Sequence, residues 1–200
     1  LNRAKVSPLT GNIIGLAAPH AGYIYSGAVA AHAYKLLLGQ PFDRVVIVAP
    51  SHRAYFEGAS VYKLGGYRTP LGVVPLDREL VEGLLQQPIP IDYVVRAHNQ
   101  EHSLEIQLPF LQMVLKEFKL TPVVLGDQSY SNCARLAEAI AAVCGDKKVL
   151  LVASTDLSHF HPYGEAKRLD DRVLDRVTAF DPVGLSEDLR SGKCEACGGG

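Results

Sequence analysis

The run RVVIVAP (Arg44 to Pro50), followed at once by Ser51 and His52, decides the fold. It is a short, near-continuous stretch of β-branched and apolar residues, which suits a strand covered on both faces rather than one with a wet side. Four further runs read the same way: IIGLAAP (Ile13 to Pro19), IDYVV (Ile91 to Val95), TPVVL (Thr121 to Leu125) and VLLVAS (Val149 to Ser154). Helical periodicity fills the intervals at Gly27 to Leu38, Leu76 to Leu85, Ser103 to Phe118, Asn132 to Val143 and Glu165 to Ala179, with a final short helix at Pro182 to Arg190. Asp77 and Ser131 stand where a side-chain oxygen caps a helix start, and Gly39 and Gly145 where a left-handed residue ends one. Alternating strands and helices predict an α/β domain spanning residues 1–200, with a mostly parallel central sheet flanked by helices. Glu57 to Pro75, punctuated by Gly58, Gly65, Gly66 and Gly72, reads instead as a hairpin-like antiparallel insertion.

Composition narrows the function classes. The 200 residues are 48% hydrophobic and 20% charged, with a formal net charge of −1 and no long run of one sign, which argues against nucleic acid as a partner. No apolar stretch reaches the ~18 residues of a membrane helix, and the first residues lack the layout of a signal peptide, so a cytoplasmic setting is expected. The four cysteines are too few and too irregular for a disulfide framework, which favours reduced thiols.

The chemistry is carried by position. The runs ending at Pro19, Pro50 and Ser154 lead directly to His20, to Ser51-His52 and to Thr155-Asp156-Leu157-Ser158-His159. In an open parallel sheet the loops leaving the carboxyl ends of the strands lie along one edge, where ligands bind. A lone histidine after a strand is usually a loop residue or a cap. Three at the same topological position point to a metal centre, since imidazole is the commonest metal ligand and titrates near neutrality. Glu101-His102-Ser103-Leu104-Glu105 opens a helical pattern and places His102 at a helix mouth, although an acidic first turn complementing the helix dipole would also explain both glutamates. Asp156 stands three residues before His159 and is suited to orienting it. His32 and His98 read as structural or solvated. Cys194 and Cys197 have CxxC spacing but no second pair for a zinc ribbon, and Cys197 beside glycines is free to approach a metal as thiolate. Pro19 to Gly27 could present amides to an anion, yet it matches neither phosphate-loop fingerprint.

The motifs PHAGYIYSG (Pro19 to Gly27), PSH (Pro50 to His52), EHSLEIQLPFL (Glu101 to Leu111), STDLSH (Ser154 to His159) and ACG (Ala196 to Gly198), in this order, resemble the Memo family. Its members are usually longer, so the resemblance implies a chain that lacks its C-terminal portion beyond the cysteine motif. It also implies a fold similar to the class III extradiol dioxygenases, whose non-haem iron sits at the carboxyl edge of an α/β sheet. Carried over onto this chain, the metal ligands would be His20, His52 and Cys197, with His159, Asp156 and His102 as catalytic or site-lining residues and Tyr23 and Tyr25 along the cleft. Cysteine in place of the dioxygenase carboxylate suits iron or copper, with zinc as the third candidate. The expected function is a metal-dependent, dioxygenase-like oxidoreductase acting on an unknown substrate. The alternatives are a binding module whose cleft takes a small molecule or peptide, and a zinc hydrolase. Pathway proteins of radical-SAM and AMMECR type are the partners the resemblance implies.

Overall fold

The computed structural model describes residues 1–198; Gly199 and Gly200, which close the glycine run after Cys197, lie outside the described residues. In chain order the elements are β1 (Gly15–Ala18), α1 (Tyr23–Lys35), β2 (Arg44–Pro50), β3 (Ala59–Val61), β4 (Gly66–Thr69), β5 (Gly72–Pro75), α2 (Arg78–Leu85) and β6 (Ile91–Asp92). There follow α3 (Val95–His98), α4 (His102–Glu105), α5 (Leu108–Val114), β7 (Lys119–Leu125), α6 (Tyr130–Cys144), β8 (Val149–Ser154), α7 (Tyr163–Thr178) and α8 (Pro182–Arg190). Six strands form one sheet in the order β1-β8-β2-β7-β3-β6. β1, β8, β2 and β7 run parallel, β3 pairs antiparallel with β7, and β6 pairs parallel with β3.

Successive side chains of β2 leave opposite faces of the sheet, and both faces are covered. Val45, Ile47 and Ala49 join a cluster with Tyr34 of α1, with Leu37 just beyond that helix, and with Leu104, Leu108 and Leu111. Val46 enters the opposite cluster with Leu80 and Leu84 of α2 and with Leu136 and Ile140 of α6. Such two-sided burial is why β2 reads as an unbroken apolar run. The cover is thinner at the β1–β8 side, where Leu151 is 41% exposed while Leu150 and Val152 are fully buried. α7, which follows β8, packs against α8.

Several boundaries differ for local reasons. The strand expected from Ile91 to Val95 is only two residues long, and Val95 starts α3. The helix expected from Ser103 to Phe118 breaks into α4 and α5 around Pro109, which sits in the first turn of α5. A proline has no N–H to give the carbonyl four residues back and its ring crowds that carbonyl, so α4 cannot run on. The N-cap position of α6 is Ser129 rather than Ser131, and its side chain makes no capping hydrogen bond. Ser129 is itself held by Asp127, which accepts its N–H at 2.9 Å and its hydroxyl at 2.9 Å. Asp77 caps α2 as expected, accepting the Leu80 N–H at 3.3 Å and an Arg44 N–H at 2.8 Å. Gly145 ends α6 at φ 51°, whereas α1 stops at Lys35 and Gly39, φ 79°, belongs to the turn beyond it. In the glycine-punctuated insertion β4 and β5 form a separate antiparallel pair, while β3 joins the main sheet.

His98 at the end of α3 is structural. Its Nε2 lies 2.9 Å from Ser60 Oγ and its Nδ1 3.3 Å from Tyr67 Oη, among the rings of Tyr62 and Tyr93. Burial lowers its pKa from 6.5 to about 4, against a small upward pull from Glu101. A folded-state pKa below the unfolded one gives stability that is complete above pH 6.5 and is lost as pH falls through 4. A His98→Gln variant is therefore expected to lose stability less steeply between these pH values, by up to about 1.4 kcal/mol per pH unit, in urea unfolding followed against pH. An unchanged slope would show that His98 takes up its proton without unfolding cost.

Candidate metal centre

Because β1, β8 and β2 are adjacent and parallel, their carboxyl ends deliver His20, the Thr155 to His159 loop and His52 to one edge of the sheet. His20 is 1% exposed. Its Nδ1 lies 2.8 Å from Ser154 Oγ. Ser154 donates its own hydroxyl hydrogen to the Ser103 carbonyl at 2.6 Å and accepts from Gln107 Nε2 at 2.8 Å. Gln107 is oriented in turn by the buried Tyr34 hydroxyl, which donates to Gln107 Oε1 at 2.7 Å. With its only hydrogen spent, Ser154 can offer His20 nothing but a lone pair, so His20 carries its proton on Nδ1 and presents a bare Nε2 to the site.

His52 reaches the same state by another route. Its Nδ1 lies 2.9 Å from Glu101 Oε1, and its backbone N–H donates to Glu101 Oε2 at 2.6 Å. Glu101 also accepts the Ser103 N–H at 3.0 Å. Burial pushes the Glu101 carboxyl up, but the hydrogen bonds from His52 and Ser103 win and hold it down at about 2. A carboxylate on Nδ1 fixes the tautomer that leaves Nε2 open.

Cys197 arrives from beyond α8. Its backbone N–H donates to the Asp156 carbonyl at 3.1 Å, its sulfur accepts the Asp156 N–H at 3.2 Å, and its own carbonyl accepts from Gln128 Nε2 at 3.0 Å. Gly198 makes this approach possible, because a Cβ there would stand 2.4 Å from the Ser154 carbonyl oxygen. The sulfur lies 3.0 Å from His20 Nε2. One ligand atom each of His20, His52 and Cys197 lie within 4.8 Å of one another. Two imidazoles with free lone pairs and a thiol form a donor set that fits a transition-metal ion. Burial raises the Cys197 pKa, which favours the thiol until a cation displaces its proton.

The remaining expected residues surround this trio. Asp156 accepts the N–H groups of His20 at 2.7 Å and Ala21 at 3.2 Å through Oδ1, while Oδ2 stands 3.7 Å from His20 Nε2 and 4.0 Å from His159 Nε2. It anchors the His20 loop. The His159 side chain is 49% exposed at the rim. The His102 ring lies 5.1 Å from that of His52 and 5.8 Å from that of His20, and its Nδ1 is 3.7 Å from Glu101. Tyr23 donates its hydroxyl to the Ile106 carbonyl at 3.0 Å and shares a second cleft with His102, whereas Tyr25 is largely exposed. The sequence reading missed the supporting layer of Glu101, Ser154, Gln107 and Tyr34. One signal was readable: Gln107 sits on the same helical stripe as Leu104, Leu108 and Leu111 and is fully buried, and a polar residue on an apolar stripe needs a partner.

The family model described as "Memo-like protein" matches residues 3–200. The chain is 39% identical over 191 residues to a MEMO1 family protein of Methanopyrus kandleri, covering 93% of this chain and 67% of that protein. It belongs to the Memo family. Further Memo relatives come from Methanothermobacter thermautotrophicus, 37% identical with 94% of this chain and 69% of the relative covered, and from Thermotoga maritima, 38% identical with the same two coverages. The chain thus spans about two thirds of the length of these Memo relatives. Among solved structures, an uncharacterized protein of Escherichia coli K12 has a similar fold, with TM-score 0.52 and 19% identity over 74% of this chain and 66% of that one.

The tautomers can be read directly. Long-range 1H–15N correlation spectra of the metal-free protein at pH 7.5 are expected to show His20 and His52 protonated at Nδ1, with pyridine-like Nε2 signals. A proton on Nε2 of either ring would contradict the orientation derived from Ser154 and Glu101.

Proposed function

We propose that this Memo family member is a metal-dependent protein in which His20, His52 and Cys197 hold iron or copper and serve an oxidoreductase reaction. The observation that carries the reading is that one ligand atom each of His20, His52 and Cys197 lie within 4.8 Å of one another, with Nδ1 of His20 held by Ser154 and Nδ1 of His52 by Glu101. When bound, iron or copper at this position would supply one-electron redox chemistry in a partly buried site.

The chain's own residues support that chemistry in distinct ways. Ser154 and Glu101 hold the two imidazoles in the ligating tautomer. Asp156 fixes the backbone of the His20 loop and stands between His20 and His159. His159 and His102, exposed at the rim, are the two imidazoles free to accept or release a substrate proton through a ring nitrogen. The cleft beside Cys197 and His159 has a volume of about 870 Å³, large enough for an organic substrate.

Anaerobic loading with iron(II), copper(I) or zinc, followed by elemental analysis after desalting, tests the site. The protein is expected to retain about one equivalent of iron or copper, and His52→Ala and Cys197→Ser to retain at least tenfold less. Gly198→Ala, which displaces Cys197 without touching a ligand, is expected to weaken retention at least tenfold while leaving the far-UV spectrum unchanged. Equal metal content in the parent and the His52→Ala and Cys197→Ser proteins would overturn the proposal. A zinc-only preference with no redox activity would move the site to hydrolytic or structural chemistry.

A further inference from the structure

Glu101 is a buried carboxylate, its side chain 1% exposed, and among the described residues no lysine or arginine stands within ion-pair distance of it. Its side-chain neighbours are two imidazoles that face the same oxygen: His52 Nδ1 lies 2.9 Å and His102 Nδ1 3.7 Å from Oε1. The other bonds it accepts come from the backbone N–H groups of His52 and Ser103. These neutral donors satisfy its hydrogen bonding and leave its charge, and a buried charge is paired or coordinates a metal. The His102 ring is tilted 25° from that of His52, with the centroids 5.1 Å apart. It is half-exposed, and Glu101 is its one polar neighbour among the described residues. One ligand atom each of His52, Glu101 and His102 lie within 4.8 Å of one another. Nitrogen and oxygen donors that share one ion at ~2.1 Å stand on the order of 3–4 Å apart, so the spacings at Glu101 are close to those a bound cation imposes.

We infer that His52, Glu101 and His102 form a second seat for a divalent transition-metal ion, with a carboxylate where the first has sulfur, and that the two seats share His52. The inference goes beyond the Cys197 seat and needs only His52 from it. Two imidazoles and a carboxylate, completed by water, suit a harder ion than a set containing thiolate, so manganese(II) is the probe for this seat and copper(I) for the other. An ion bound through the nitrogen that faces Glu101 takes the place of the His52 Nδ1 proton. A neutral imidazole keeps one proton, which then sits on Nε2 and leaves no lone pair there for the Cys197 seat. The seats are therefore filled one at a time, and the softness of the ion decides which. An ion at Glu101 also takes His102 out of proton transfer and leaves that task to His159.

Manganese(II) is titrated anaerobically into the metal-free parent protein, into His102→Ala and Cys197→Ser, and into the parent preloaded with copper(I), and the free ion is measured at equilibrium from its EPR signal. The parent and Cys197→Ser are expected to bind about one equivalent with the same affinity. His102→Ala, which removes a half-exposed ring and leaves Glu101 on His52, is expected to bind at least tenfold more weakly, and copper(I) preloading to weaken binding at least tenfold through His52. No manganese(II) binding in the parent, or equal affinity in the parent and His102→Ala, would overturn the inference. Loss of binding in Cys197→Ser would place the ion in the sulfur-containing seat and overturn it equally. Full manganese(II) affinity beside bound copper(I) would overturn the sharing of His52. Failure of copper(I) to bind counts against the Cys197 seat and leaves the His102 comparison to decide this one.

Discussion

The hydroxyl of Ser154, at the carboxyl end of β8, is a single group on which three separate parts of the chain converge. It donates to the carbonyl of Ser103 in α4, accepts from Gln107 at the head of α5, and faces Nδ1 of His20 in the loop after β1. Nothing in this set is wet: Ser103 and Gln107 are fully buried, and Ser154 and His20 are 1% exposed. In such surroundings a donor or acceptor left without a partner costs about 1–3 kcal/mol, so the arrangement is close to all-or-none. The direction in which His20 presents its lone pair is thereby tied to the packing of α4 and α5 against the sheet.

Pro109, which divides α4 from α5, leaves both short helices facing the site. The Pro109 break lets His102 and Glu101 sit at the mouth of one short helix while Gln107 reaches inward at the start of the next. Glu101 supports His52 and Gln107 supports His20 through Ser154, so one bent segment orients both imidazoles. The thiol is supplied independently by the turn after α8, docked on the Asp156 loop through a glycine that has no room for a side chain.

How much of this was legible in the sequence follows from which interactions are local. β2 and β7 are covered on both faces, so their composition alone reveals them, and the parallel order places His20, His52 and His159 on one edge. The two-residue β6 and the start of α3 at Val95 depend on pairing with β3, which no local pattern records. α6 starts after Ser129, earlier than the Ser131 cap expected, with Ser129 held by Asp127 two residues before it. His20 and His52 are legible as strand-end histidines and Cys197 as a thiol beside glycines, the three as one ligand set only through the family motifs, and the geometry brings their ligand atoms together. Sequence offers Glu101 only an alternative role as an acid at a helix start, and it does accept the Ser103 N–H, but it also holds His52 across 49 residues of sequence. Long-range partners of that kind leave only the faint trace of a polar residue on an apolar stripe.

The metal-centre proposal requires two imidazoles and one sulfur to share an ion. X-ray absorption spectroscopy at the metal edge of the zinc-loaded protein measures this most directly. One sulfur scatterer at about 2.3 Å and two imidazole nitrogens at about 2.0–2.1 Å are expected, with the sulfur shell absent in Cys197→Ser. A coordination shell of nitrogen and oxygen alone, the same in the parent and in Cys197→Ser, would contradict it.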